Sequence, residues 1–171
     1  MVTTLFSKLI LQHDRLPHAD LSVKSPASGT LQLDYVAEDF LRLGILGELQ
    51  QIHLAGNQLV APFQGRCVRR DDFGSLISFV HPQGLRLDVQ FPDAYQHFGQ
   101  GFQWHVPADC QVQAGQSILT FDGSRLQQWL SPAQCFIQLH DHPKFLKVYG
   151  RSGFVAAGDD LLYSIELKKA V

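Results

Sequence analysis

The sequence predicts an all-β fold: an antiparallel β-sandwich, barrel-like, with a few short helices. Three observations carry this. Short runs of alternating or continuous apolar residues recur at close spacing. Turns bearing Pro, Gly or Asn separate them, such as HPQG (81–84) and AGNQ (55–58). Two pairs of segments also echo each other in a consistent order: SPASGTL (25–31) with APFQGRC (61–67), and VQAGQSIL (112–119) with VAAGDDLL (155–162). Each echo is a turn closing onto a strand, and together they indicate a duplicated body.

Taken in order, residues 1–20 read as an N-terminal tail. Leu5, Phe6, Leu9 and Ile10 fall on one side of a short amphipathic helix, and QHDRLPHAD follows as a polar linker. Such a helix is a candidate for weak membrane contact or partner contact, or for docking on its own domain. Residues 21–171 read as one domain. Strands are expected at 30–36, 50–56, 65–70, 75–81, 86–91, 102–106, 116–121, 135–139 and 161–167. The stretch GLRLDVQFP (84–92) is the clearest. Leu85, Leu87, Val89 and Phe91 alternate with Arg86, Asp88 and Gln90, which gives one apolar and one polar face. Short helices are expected at DFLRLGILG (39–47), at SRLQQWL (124–130) with Ser124 as N-cap, and at HPKFLKVYG (142–150) with Pro143 at its start.

A chain of 171 residues is long enough for a sizeable core. Its net charge of −2 offers no basic field to nucleic acid. No apolar run approaches the ~20 residues of a spanning helix, and the N-terminus lacks the pattern of a secretory signal. A cytoplasmic location is expected. The three cysteines Cys67, Cys110 and Cys135 are widely spaced with no C-x-x-C pair, so they are expected to be free thiols.

Several segments resemble, in order, the glucose-type enzyme IIA domain of the bacterial sugar phosphotransferase system. SPASG resembles the family's opening "AP-x-SG" turn, and LVAPFQG (59–65) its second "VAP-x-x-G" turn. GQGF (99–102) resembles "GEGF". VPADCQVQAGQSILTFD (106–122) and RSGFVAAGDDLLYSI (151–165) resemble the family's later strand pairs, and LFSKL (5–9) the amphipathic start of some members. The resemblance runs from about Ser22 to Ile165 and implies an antiparallel β-sandwich.

The family's chemistry belongs to two histidines on adjacent strands. One, in a "V-H-F/I-G-I-D-T" strand, accepts a phosphoryl group from a phosphocarrier protein and passes it on. The other, in an "N-H-A" stretch, hydrogen-bonds that group. With the gapless frame from APFQG to GLRLDV, the first position falls on Gln90 and the second on Ser75. Pro92, Ala94 and Tyr95 replace the Gly, Asp and Thr after the first histidine, with an Asp one place early at Asp93. Asp88 replaces an apolar residue of the family's docking patch.

A phosphohistidine forms because a neutral imidazole nitrogen carries an available lone pair. The lone pair of the Gln90 amide is delocalised into its carbonyl, so that nitrogen is not nucleophilic. Ser75 lacks an activating base of its own. The resemblance therefore implies a degenerate member that works by binding proteins, either phosphotransferase components or metabolic and transport proteins. Enzymatic activity is left open, with these residues against it, and no cofactor is expected. The expected partner-binding face comprises Phe40, Leu41, Ile45, Leu46, Phe73, Arg86, Asp88 and Gln90. The apolar ones read equally as a core-covering loop.

Two alternatives use other histidines. One is an active phosphocarrier for sugar uptake. Here His81 sits in a turn too far along the strand from Gln90, and His97 and His105 flank the GQGF loop. The other is a metal-dependent hydrolase on His140 and His142, spaced as an H-x-H ligand pair in LHDHP (139–143) but without the further His and Asp such a site needs. A third reading is a small-molecule site with Ser75, Arg86 and Gln90 as polar contacts.

Overall fold

A computed structural model describes residues 9–12, 15–32, 47–92, 94, 96–129 and 133–169. The strands are β1 (Leu9–Gln12), β2 (Leu21–Lys24), β3 (Gly29–Gln32), β4 (Gly47–Leu54), β5 (Gln58–Val60), β6 (Gly65–Arg69), β7 (Leu76–Val80) and β8 (Arg86–Gln90). After these come β9 (Phe102–Trp104), β10 (Asp109–Val112), β11 (Ser117–Phe121), β12 (Gln134–His140), β13 (Phe145–Arg151), β14 (Phe154–Val155) and β15 (Leu161–Leu167). One helix, α1 (Gly123–Trp129), precedes β12.

Among the described residues the strands form three sheets. Their orders are β10-β6-β7-β8-β12-β4-β3-β14, β1-β13-β15-β2 and β5-β11-β9. The pairings are antiparallel except for β1 on β13. The predicted antiparallel β-sandwich is the observed fold. One face of the large sheet supplies Ile52, Ile77, Phe79, Leu87, Val89 and Ile137 to an apolar cluster. Val23, Tyr163 and Ile165 join that cluster from the four-stranded sheet. Each of these side chains is fully buried, which stabilises the fold by about 1.5–3 kcal/mol apiece before conformational entropy is counted.

The sequence echoes have a structural counterpart. Lys24 N donates to Pro62 O at 2.9 Å, and Val60 N donates to Pro26 O at 2.8 Å. Likewise Gly158 N donates to Ser25 O at 2.9 Å, and Gly115 N to Ala61 O at 2.8 Å. Both bonds of each pair join equivalent points of the echoed segments, so the two halves clasp each other reciprocally. The Pro-x-x-Gly spacing has a matching cause. At Gly29 and Gly65 the backbone carbonyl of the next strand, of His53 and Val80 respectively, occupies the place a Cβ would take.

The structure corrects several local expectations. HPKFLKVYG was expected as a helix, but Phe145–Arg151 is strand β13, with Phe145 and Val148 buried. Phe145, Leu146, Val148 and Tyr149 follow helical spacing, but pairing with β15 decides for strand, with a register shift between Phe145 and Lys147. Leu9 and Ile10 also lie in a strand rather than a helix, drawn onto the edge of β13. The linker after them is held too: Leu16 is buried, and Ser164 Oγ donates to Pro17 O at 2.7 Å. At α1 the cap is Asp122, not Ser124: its Oδ1 accepts from Ser124 N at 3.0 Å and Ser124 Oγ at 2.6 Å. The helix expected at 39–47 falls almost wholly on residues outside the described set, as do residues 33–36 of the first predicted strand.

Candidate functional site

The two positions singled out by sequence are neighbours. Leu76 pairs with Gln90 across β7 and β8, and Phe91 N donates to Ser75 O at 3.0 Å. Gln90 is half-buried, at the end of a strand whose alternate residues Leu87 and Val89 are fully buried. Alternation puts Arg86, Asp88 and Gln90 on the opposite face of the sheet from that core. Register then sets Leu76, Gln90 and Phe136 in one row, and Ser78, Asp88 and Gln138 in the next.

Ser75 is committed to a partner that sequence reasoning missed. Asp71 Oδ2 accepts from Ser75 Oγ at 2.7 Å and from Leu76 N at 2.9 Å. Asp71 Oδ1 accepts from Phe73 N at 2.8 Å and Ser75 N at 3.1 Å. Burial pushes the Asp71 carboxyl pKa up, but these bonds outweigh it and hold it below the usual range. One carboxylate thus organises the turn that leads into β7. Asp71→Ala should cost about 2 kcal/mol and Asp71→Asn less, because an amide oxygen still accepts. Urea midpoints of the two variants measure this, and equal midpoints for wild type and Asp71→Ala would contradict it.

The second cluster centres on Asp88, which is 3% exposed. Arg86 grips it with Nε to Oδ1 at 2.9 Å and Nη2 to Oδ2 at 2.8 Å. His140 Nε2 lies 2.7 Å from Asp88 Oδ2. Ser78, directly opposite on β7, takes a bond from Arg70 Nε at 2.9 Å. Burial raises the Asp88 carboxyl pKa, but the bonds from His140, Arg86 and Ser78 prevail and bring it to about 2. Beside it, Gln138 Nε2 is buried without a hydrogen-bond partner among the described residues.

The other histidines are dispersed. His81 closes the β7–β8 turn, with its backbone bonded to Leu85 and its ring edge-on to Phe63. Leu85 is five residues before Gln90, a run of about 17 Å along the strand. His105 Nε2 lies 2.6 Å from Thr120 Oγ1. His142 packs against Phe145, while His140 is engaged by Asp88, so the H-x-H pair does not converge. No group of three or more metal-ligating side chains occurs among the described residues.

Of the expected partner face, Phe73, Arg86, Asp88 and Gln90 are described. Phe40, Leu41, Ile45 and Leu46 lie outside the described residues, as do Asp93 and Tyr95. Phe73 stacks edge-on with Phe98 at 5.4 Å. Phe98 is 69% exposed, with a left-handed φ of 53° that a bulky residue rarely holds. Asp88 was expected to make the face polar. It is instead enclosed, and the charge presented outward belongs to Arg86.

Comparison with known proteins gives a consistent result. The family model described as phosphoenolpyruvate-dependent sugar phosphotransferase system, EIIA 1, matches residues 21–144. Two Corynebacterium glutamicum proteins, the PTS system glucose-specific EIIBCA component and the PTS system mannose-specific EIIBCA component, are each 26% identical over 132 residues. That stretch is 76% of this chain but 20% and 19% of theirs, so the chain spans about a fifth of the length of these curated relatives. Among solved structures, the glucose permease IIA from Mycoplasma capricolum superimposes with a TM-score of 0.70 at 20% identity. It covers 84% of this chain and 94% of that one, which at such identity shows the shared fold. No helix among the described residues is long and apolar enough to cross a membrane.

Proposed function

The chain belongs to the EIIA 1 family of the phosphoenolpyruvate-dependent sugar phosphotransferase system, and on that footing we propose that it is a glucose-type IIA-like domain that carries no phosphate at the family's histidine positions. It acts in the cytoplasm as a regulatory, partner-binding protein. The observation that carries this is the pairing of Gln90 with the Ser75 turn on adjacent strands. That is the arrangement the family resemblance demands, with an amide and a hydroxyl where two imidazoles belong. A Gln there fixes the neutral state that a histidine holds only between phosphorylations. Its partners are proteins that read this face, among them phosphotransferase, transport or metabolic proteins.

This reading makes partner capture independent of phosphate supply. Proteins retained from a bacterial lysate by the immobilised chain should be the same with and without phosphoenolpyruvate, while those retained by an intact IIA domain change. A retained set that changes with phosphoenolpyruvate on this chain alone would overturn it.

One observation favours a second reading, a phosphocarrier on another histidine. Asp88 pins His140 at Nε2, which leaves Nδ1 of the neutral ring with the lone pair. His140 is 31% exposed in its side chain, and Arg86 lies on the same carboxylate. Acid-labile phosphate mapped to His140 would establish this second reading in place of the first.

A further inference from the structure

Among the described strands, β10 is the edge of the large sheet and is bonded on one side only, to β6. Their register places Cys110 directly opposite Cys67. In the same register, Arg69 N donates to Ala108 O at 2.7 Å. Hydrogen-bonded pairs alternate along an antiparallel ladder, so Cys67 and Cys110, two residues further on, are also a hydrogen-bonded pair. Their Cα atoms are then about 5.5 Å apart, inside the roughly 4.4–6.8 Å that a disulfide spans. Directly opposed residues project to the same face. Both thiols are free.

We propose that Cys67 and Cys110 form a reversible intramolecular disulfide, which makes the β6–β10 edge an oxidation site of this protein. The oxidant is a low-molecular-weight disulfide such as oxidised glutathione. The half-exposed Cys110 gives up its proton, and its thiolate attacks one oxidant sulfur, forming a mixed disulfide and expelling one small thiolate. Cys67, 2% exposed, then loses its proton and attacks the Cys110 sulfur, expelling the second small thiolate. Two protein thiols are oxidised and one small disulfide is reduced to two thiols. Cys135 takes no part. It is fully buried on β12, three strands from β6, about 14 Å away at the inter-strand spacing.

Two physical features shape the reaction. Burial pushes the Cys67 thiol up to about 12 and also raises Cys110, so exchange is slow at neutral pH and quickens about tenfold per pH unit below those values. A hydrogen-bonded pair also holds its Cβ atoms further apart than a relaxed disulfide needs. Closure therefore pulls β10 inward, and the strained bond is readily reduced again. The element that yields is the edge strand, where Asp109 is ion-paired to Arg66. The tie reaches the candidate site along β6, whose Arg69 stacks on Trp104 at 4.4 Å and whose next residue, Arg70, holds Ser78.

The test is intact-mass measurement after incubating the full chain with oxidised glutathione at mildly alkaline pH and quenching by alkylation. The expected product is monomeric, lighter by two hydrogens and alkylated only where Cys135 is exposed by denaturant. Dithiothreitol restores three alkylatable thiols. Cys135→Ser leaves the mass loss intact, whereas Cys67→Ser and Cys110→Ser each abolish it. The Cys110→Ser variant carries the test if Cys67→Ser fails to fold, because Cys110 is only half-buried. A glutathione adduct that persists on Cys110, a Cys110-linked dimer, or three thiols still free after oxidation would each overturn the proposal.

Discussion

Asp88→Ala lowers stability by about 3 kcal/mol, and Asp88→Leu costs less than half of that. The reason is what each variant leaves behind. Asp88 accepts two bonds from Arg86 and one from His140, and Ser78 bonds it as well. Ala removes the carboxylate and opens a void, so the Arg86 guanidinium loses its counter-charge and the His140 ring loses its hydrogen-bond partner. Arg86 and His140 are 37% and 31% exposed, which lets water reach them and keeps the loss near the lower end for a broken buried pair. Leu instead fills the space with apolar volume, the kind of residue the family resemblance implies for this position. Denaturant midpoints for the three proteins, at one pH and salt, measure the order. An Ala variant as stable as wild type would contradict the pairing.

The same carboxylate gives a pH signature. Its folded pKa, about 2, is below the ordinary 3.8. A depressed carboxyl stabilises the fold above its unfolded value, and that contribution is lost as pH falls through the folded one. The wild type should therefore lose this increment between about pH 4 and pH 2, and Asp88→Leu should show a shallower acid limb over that window. Parallel limbs would show that Asp88 is not held ionised by its partners.

Paired substitution of the two family positions is expected to create phosphoacceptor activity. Gln90→His places an imidazole at the end of β8, and Ser75→His places the second at the head of β7, where Asp71 already accepts from the native side chain. The carboxylate is then positioned to orient the second ring. Gln90→His alone should accept phosphate about a hundredfold more slowly than the pair, since the arriving phosphoryl group lacks the second donor. Equal labelling of single and double variants would mean that the Ser75 position plays no part.

What the sequence made legible was local. The alternation in GLRLDVQFP told which side of β8 faces the apolar core, and the two echoes announced a duplication that the reciprocal Lys24–Pro62 and Val60–Pro26 bonds realise. Asp88 was legible as a departure from the family, but its enclosure was not, because its partner His140 is 52 residues away on another strand. Asp71 looked like part of an ordinary polar turn, since four bonds to one carboxylate leave no periodic trace. HPKFLKVYG failed for a different reason. Its apolar residues follow helical spacing, and tertiary pairing with β15, through a register shift between Phe145 and Lys147, overrode it.

The most direct test of the central claim is phosphotransfer in vitro. The purified chain would be incubated with labelled phosphoenolpyruvate and the two general phosphotransferase proteins, beside an intact IIA domain and the Ser75→His/Gln90→His variant. No acid-labile label is expected on the native chain, with label on the intact domain and on the variant. Stoichiometric acid-labile label on the native chain would contradict it, and the labelled residue would then identify the histidine that carries the phosphate.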